Sequence, residues 1–134
     1  MKRHIFTIAI LLGWLFAPIG SVRAQTEPVV RAVLFYSPTC PHCEQVINET
    51  LPPLIQKYGD QLQIIGVNVT ETQGQTLFLA ALDQFKLEQA GVPFLVIGDK
   101  YLMGSADIPE QLPDLIEIYL TRGGVDFPDI PGLR

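Results

Sequence analysis

The stretch Val29-Val30-Arg31-Ala32-Val33-Leu34-Phe35-Tyr36-Ser37-Pro38-Thr39-Cys40-Pro41-His42-Cys43 decides how the rest of this chain is arranged. Val29 to Tyr36 is an almost unbroken apolar run of β-formers, interrupted only by Arg31, which suits a central strand buried on both faces. Ser37-Pro38-Thr39 leads out of it, and a helix is expected from about Pro41, whose missing N–H costs nothing in a first turn. Cys40 and Cys43 are the only cysteines in 134 residues. Strand, then Cys-x-x-Cys, then helix is the setting in which such a pair reads as a redox centre. Cys40 would face the free N–H groups of the helix start, where the positive end of the helix dipole favours thiolate, the form that attacks.

Two other uses of the pair are open to the same residues. Zinc needs four ligands, and the only further candidates are His42, wedged between the cysteines, and His4 near the N-terminus. No metal and no cofactor are therefore expected. A purely structural disulfide gains little, because closing so short a loop restrains the unfolded chain by only about 2 kcal/mol.

The length leaves room for one domain. Lys2, Arg3 and His4 precede an apolar stretch from Ile5 to Phe16, and Val22-Arg23-Ala24 offers small residues at the spacing of a cleavage site. Residues 1–24 read as a signal peptide and 25–134 as the domain, which implies export to the periplasm or another extracytoplasmic space. An uncleaved anchor is the alternative, if Ala17-Pro18-Ile19 extends the apolar run. The whole chain carries a net charge of −5; without Lys2, Arg3 and Arg23, six basic residues face fourteen acidic ones, giving −8. Such a surface argues against nucleic acid or an anionic membrane surface as partner. Export would also place the cysteines where disulfides form and persist.

Along the chain, Pro52-Pro53 is expected to break or kink the first helix by pushing Leu51 away from helical geometry, with Leu54 to Tyr58 resuming it and Gly59-Asp60 ending it. Leu62 to Val69 reads as the next strand and Thr70 to Gly74 as a polar connection. From Gln75 to Ala90 the positions Leu77, Phe78, Ala81, Leu82 and Phe85 repeat at helical spacing, with Gly91 as the stop. Pro93–Ile97 and Tyr101–Met103, joined by Gly98-Asp99-Lys100, predict an antiparallel hairpin. Asp107 and Glu110 have the spacing of a capping box for a last helix. Pro113 would kink or restart it, and Leu115, Ile116, Tyr119 and Leu120 would form its buried face. Gly123-Gly124 ends it, and the tail to Arg134 reads as an extended segment packing through Phe127 and Ile130. Asn48-Glu49-Thr50 and Asn68-Val69-Thr70 match the N-glycosylation sequon, a short motif that arises often by chance.

The order strand, helix, strand, helix, hairpin, helix implies an α/β fold with a four-stranded mixed sheet flanked by helices. With the cysteines at the first strand-to-helix junction, the chain resembles the thioredoxin superfamily (βαβαββα) over about residues 29–122, with 123–134 as a tail. Gly91-Val92-Pro93 falls where that family carries a cis-proline facing the cysteines, so the resemblance implies substrate binding at Val92 and Pro93. A trans-proline opening an edge strand is the alternative. Pro41 and His42 between the cysteines, with valine before the proline, look like the exported disulfide oxidases of the DsbA type. The large helical insertion of that type is missing. The size is closer to small exported thioredoxin-like domains that partner bacterial homologues of vitamin K epoxide reductase. One further departure is Leu34, six residues before Cys40, where thioredoxins place a buried acid. Glu44 is the nearest carboxylate, and no general base is assigned.

The resemblance implies an exported thiol-disulfide oxidoreductase acting on protein thiols, with Cys40 as nucleophile, Cys43 as resolving thiol, and Pro41 and His42 tuning the thiolate. The dipeptide points to an oxidase. A reductase or isomerase recharged by a membrane electron donor is the alternative, as is a non-catalytic binding or copper-handling module on the same fold.

Overall fold

The computed structural model describes residues 26–134; the expected signal peptide and His4 lie outside the described residues. Strand β1 (Val30–Tyr36) is followed by helix α1 (Pro41–Gln45), a π-helical turn (Val46–Thr50) and helix α2 (Leu51–Tyr58). Strand β2 (Leu62–Asn68), helix α3 (Thr72–Gln84), the hairpin β3 (Phe94–Ile97) and β4 (Lys100–Met103), and helix α4 (Gly104–Thr121) complete the order. The sheet runs β2-β1-β3-β4, with β1 parallel to β2 and the other two pairings antiparallel. This is the four-stranded mixed sheet that the order of elements implied, in the thioredoxin-like arrangement that the resemblance implied. Among the described residues no helix is long and apolar enough to cross a membrane.

The alternation of side chains along β1 divides the interior into two cores. Val30, Ala32 and Leu34 face α2 and α4, joining Leu54, Tyr58, Ile108, Leu112 and Ile116. Val33 and Phe35 face α3, joining Leu77, Ala81, Leu82 and Phe94. Both faces of β1 are thus covered, as its apolar run required. The tail crosses from one core to the other: Val125 exchanges backbone hydrogen bonds with Val29 and Arg31 and packs against the first core, and Ile130 is buried in the second, on the α3 side.

Three helices differ from the sequence reading. Pro52-Pro53 does not break the first helix, for Leu51 has helical angles (φ −71°, ψ −40°) and its N–H reaches back five residues to the Val46 carbonyl. A proline inside a regular α-helix clashes with the carbonyl four residues earlier. The wider π turn relieves that conflict, and the prolines fall in the first turn of α2, where their missing N–H groups cost nothing. Helix α3 starts at Thr72 rather than Gln75 and stops at Gln84, short of Ala90. Lys86 takes a left-handed conformation (φ 57°), and Leu87 N–H closes back on the Leu82 carbonyl at 2.9 Å. That closure resembles a glycine C-cap but carries no glycine to announce it. Helix α4 begins at Gly104, so Asp107 lies within its first turn and makes no capping box. The Gly104 N–H is instead satisfied by the Pro93 carbonyl at 2.8 Å. Pro109 and Pro113 both lie inside α4, which runs through to Thr121.

Candidate redox site

The buried β1 delivers the chain to one end of the sheet, where residues 37–39 turn it into α1. The Cys40 N–H bonds to the Ser37 carbonyl at 3.2 Å, closing that turn. Cys40 keeps extended angles (φ −98°, ψ 111°) and is the N-cap of α1: its Sγ accepts the Cys43 N–H at 3.2 Å, and its carbonyl accepts the Glu44 N–H at 3.0 Å. A thiol here does what serine or aspartate does at other helix starts. Pro41 occupies the first turn, as expected.

The two cysteines live in different surroundings. Both are free thiols, Cys40 half-exposed and Cys43 buried to 1% exposure. Burial, and after it the hydrogen bond with Cys40, push the Cys43 thiol up to about 11. Cys40 therefore presents the accessible sulfur, and Cys43 waits behind it as a protonated thiol. Leu34 is 2% exposed within the core facing α2, so the position at which thioredoxins carry a buried acid is apolar here. Glu44 is exposed on the first turn of the helix. Nothing near Cys43 is thus identified as a proton acceptor.

The Val92–Pro93 peptide is cis, and the Cys40 thiol donates to the Val92 carbonyl at 3.5 Å. Residues 52 positions apart in sequence therefore meet at one sulfur, and Cys40, Cys43, Val92 and Pro93 form a single site, with Pro41 exposed at its rim. His42 is also exposed, but its Nδ1 lies 2.9 Å from the Ser105 Oγ at the start of α4. Sequence reasoning missed Ser105. No local motif marks it; only the hairpin, which returns the end of β4 to Pro93, carries Ser105 to the cysteines. Among the described residues no three His, Cys, Asp or Glu side chains gather closely enough to hold a metal ion.

No protein-family model matches the chain. It is similar to a probable thioredoxin of Archaeoglobus fulgidus, 28% identical over 99 residues that span 74% of this chain and 97% of that protein. Among solved structures, it is similar to thioredoxin O2 from Arabidopsis thaliana in the oxidized state, with a TM-score of 0.48, 20% identity, and coverage of 67% of this chain and 74% of that one. A buckwheat glutaredoxin–glutathione complex matches with a TM-score of 0.42 and 23% identity over 68% of this chain and 76% of that chain.

Proposed function

We propose that this thioredoxin-like protein is an exported thiol-disulfide oxidoreductase that exchanges disulfides with protein substrates through Cys40 and Cys43, working as an oxidase. The observation that carries the reading is the asymmetry of the pair: an accessible helix-capping sulfur backed by a buried thiol and faced by Val92 and Pro93. A non-catalytic binding module has no use for such asymmetry. In the oxidising direction a substrate thiolate attacks Sγ of Cys40, the Cys40–Cys43 bond breaks, and Cys43 leaves and takes up a proton. A second substrate thiolate then attacks the substrate sulfur of the mixed disulfide and expels the Cys40 thiolate. Two electrons pass to the protein, Cys43 takes up one proton from solvent while Cys40 leaves as thiolate, and the substrate gains one disulfide.

The oxidising direction is supported by the Pro41-His42 dipeptide, and export by the pattern of residues 1–24. Renewed turnover then needs an acceptor for those two electrons, and a membrane redox partner of the vitamin K epoxide reductase type fits that need. The deciding experiment is equilibration of the pair with a glutathione buffer. A potential well above thioredoxin's, which is about −270 mV, supports the oxidase reading, and a potential as low as that removes it.

A further inference from the structure

His42 sits between the two cysteines, yet its hydrogen bond goes elsewhere. The polar partners of Cys40 Sγ are the Val92 carbonyl and the Cys43 N–H, whereas the imidazole Nδ1 pairs with the Ser105 hydroxyl at 2.9 Å. Ser105 is the second residue of α4, 63 positions away in sequence. Its place is fixed, because the preceding residue, Gly104, donates its N–H to the Pro93 carbonyl at 2.8 Å. The start of α4 and the proline turn therefore behave as one body, and the imidazole is fastened to that body through one ring nitrogen. A histidine ring has only two nitrogens, and committing one to Ser105 fixes the ring's orientation.

We propose that Ser105 is a positioning residue that holds the His42 ring on α4, off the Cys40 sulfur, and so sets how oxidising the pair is. The inference rests on the oxidoreductase reading above. An imidazole free to turn would offer the Cys40 thiolate an N–H donor. Any group that stabilises the thiolate stabilises the reduced protein and makes the disulfide a stronger oxidant. Ser105 withholds that donor, and the pair is less oxidising than the Pro-His dipeptide alone would make it.

The test is a set of glutathione equilibria on the full chain: wild type, Ser105→Ala, Ser105→Thr, His42→Ala and the Ser105→Ala/His42→Ala double variant. Ser105→Ala should shift the equilibrium three- to tenfold toward the reduced protein, which corresponds to about 15 to 30 mV. Ser105→Thr keeps a hydroxyl and should match the wild type, and Ser105→Ala should change nothing once His42 is gone. In parallel, the ring-nitrogen NMR shifts of His42 should change with Ser105→Ala and hold with Ser105→Thr. An unchanged potential in Ser105→Ala, a shift toward the oxidised protein, or an equal shift with and without His42 overturns the proposal. A pair that never equilibrates with glutathione removes the oxidoreductase reading itself, and the tuning role with it. A pair that equilibrates but ignores Ser105 removes the tuning role alone.

Discussion

At the scale of residues, the difference between Cys40 and Cys43 makes two measurable demands. In the reduced protein an alkylating reagent should consume Cys40 first, and Cys43→Ser should trap substrates as mixed disulfides through Cys40. Faster labelling of Cys43 would reverse the roles. The second demand concerns pH. Cys43 resolves a mixed disulfide only as thiolate, and its thiol is pushed up to about 11. Below that value the thiolate fraction rises about tenfold with each pH unit. In a mixed disulfide the hydrogen bond and charge from Cys40 are gone but the burial, the first cause of the rise, persists, so release of a substrate from Cys40 by Cys43 should still accelerate steadily from pH 6 to 9. Stopped-flow resolution of a preformed mixed disulfide measures it. A rate that levels off near pH 7 would mean that a base assists despite Leu34. Of this site, Cys40 and Cys43 were legible because strand, turn and helix signals place them locally, and Val92 and Pro93 only through the resemblance, which implied a cis-proline facing the cysteines. Ser105 was not, since a contact across 63 residues leaves no local trace.

At the scale of elements, glycine geometry decides where α3 docks. A Cβ on Gly74 would collide with the carbonyl oxygen of Asn68, a backbone atom that cannot swing aside. Gly74→Ala gains about 1 kcal/mol of helix propensity but forces α3 away from the end of β2. Overpacking of that kind costs about 1–3 kcal/mol, and a backbone clash this close belongs at or above the upper end, so the variant should be net destabilised by about 2 kcal/mol. Gly91→Ala, with no atom within 4 Å and no positive φ, is the control and should be near neutral. Urea midpoints of the two variants test the contrast; equal midpoints would contradict it. The same element shows the limits of a local reading. The buried stripe of α3 was visible at helical spacing, but its end was not, because Lys86 takes a left-handed angle that sequence assigns to glycine. The start of α4 was misplaced for a related reason. Its first free N–H is satisfied by Pro93 from another element, and not by Asp107.

At the scale of the whole molecule, the helix carrying the cysteines and Ile130 of the tail serve different cores on either side of β1, although Val92 packs on the side of Ile130. Ile130, carried by the tail, is buried against α3, whereas α1 leads from Cys40 into the core shared by α2 and α4. Ile130→Ala should lower stability by about 2–4 kcal/mol and leave the reduction potential unchanged, as read by urea unfolding and glutathione equilibration. A potential that moved with the tail would show that the two sides are coupled through β1. The π turn has a different kind of reach. A regular helix advances each residue by about 100°. The turn at Val46–Thr50 spends a surplus residue to bring Leu54 and Tyr58 into the core while Cys40 stays at the opposite end of the same helical run. Length in this segment is accordingly under tighter constraint than composition. Exchanging exposed Asn48 or Glu49 leaves the wide turn intact, but deleting either removes the surplus residue, closes the turn into a regular helix and sets Pro52 and Pro53 against the carbonyls they now avoid.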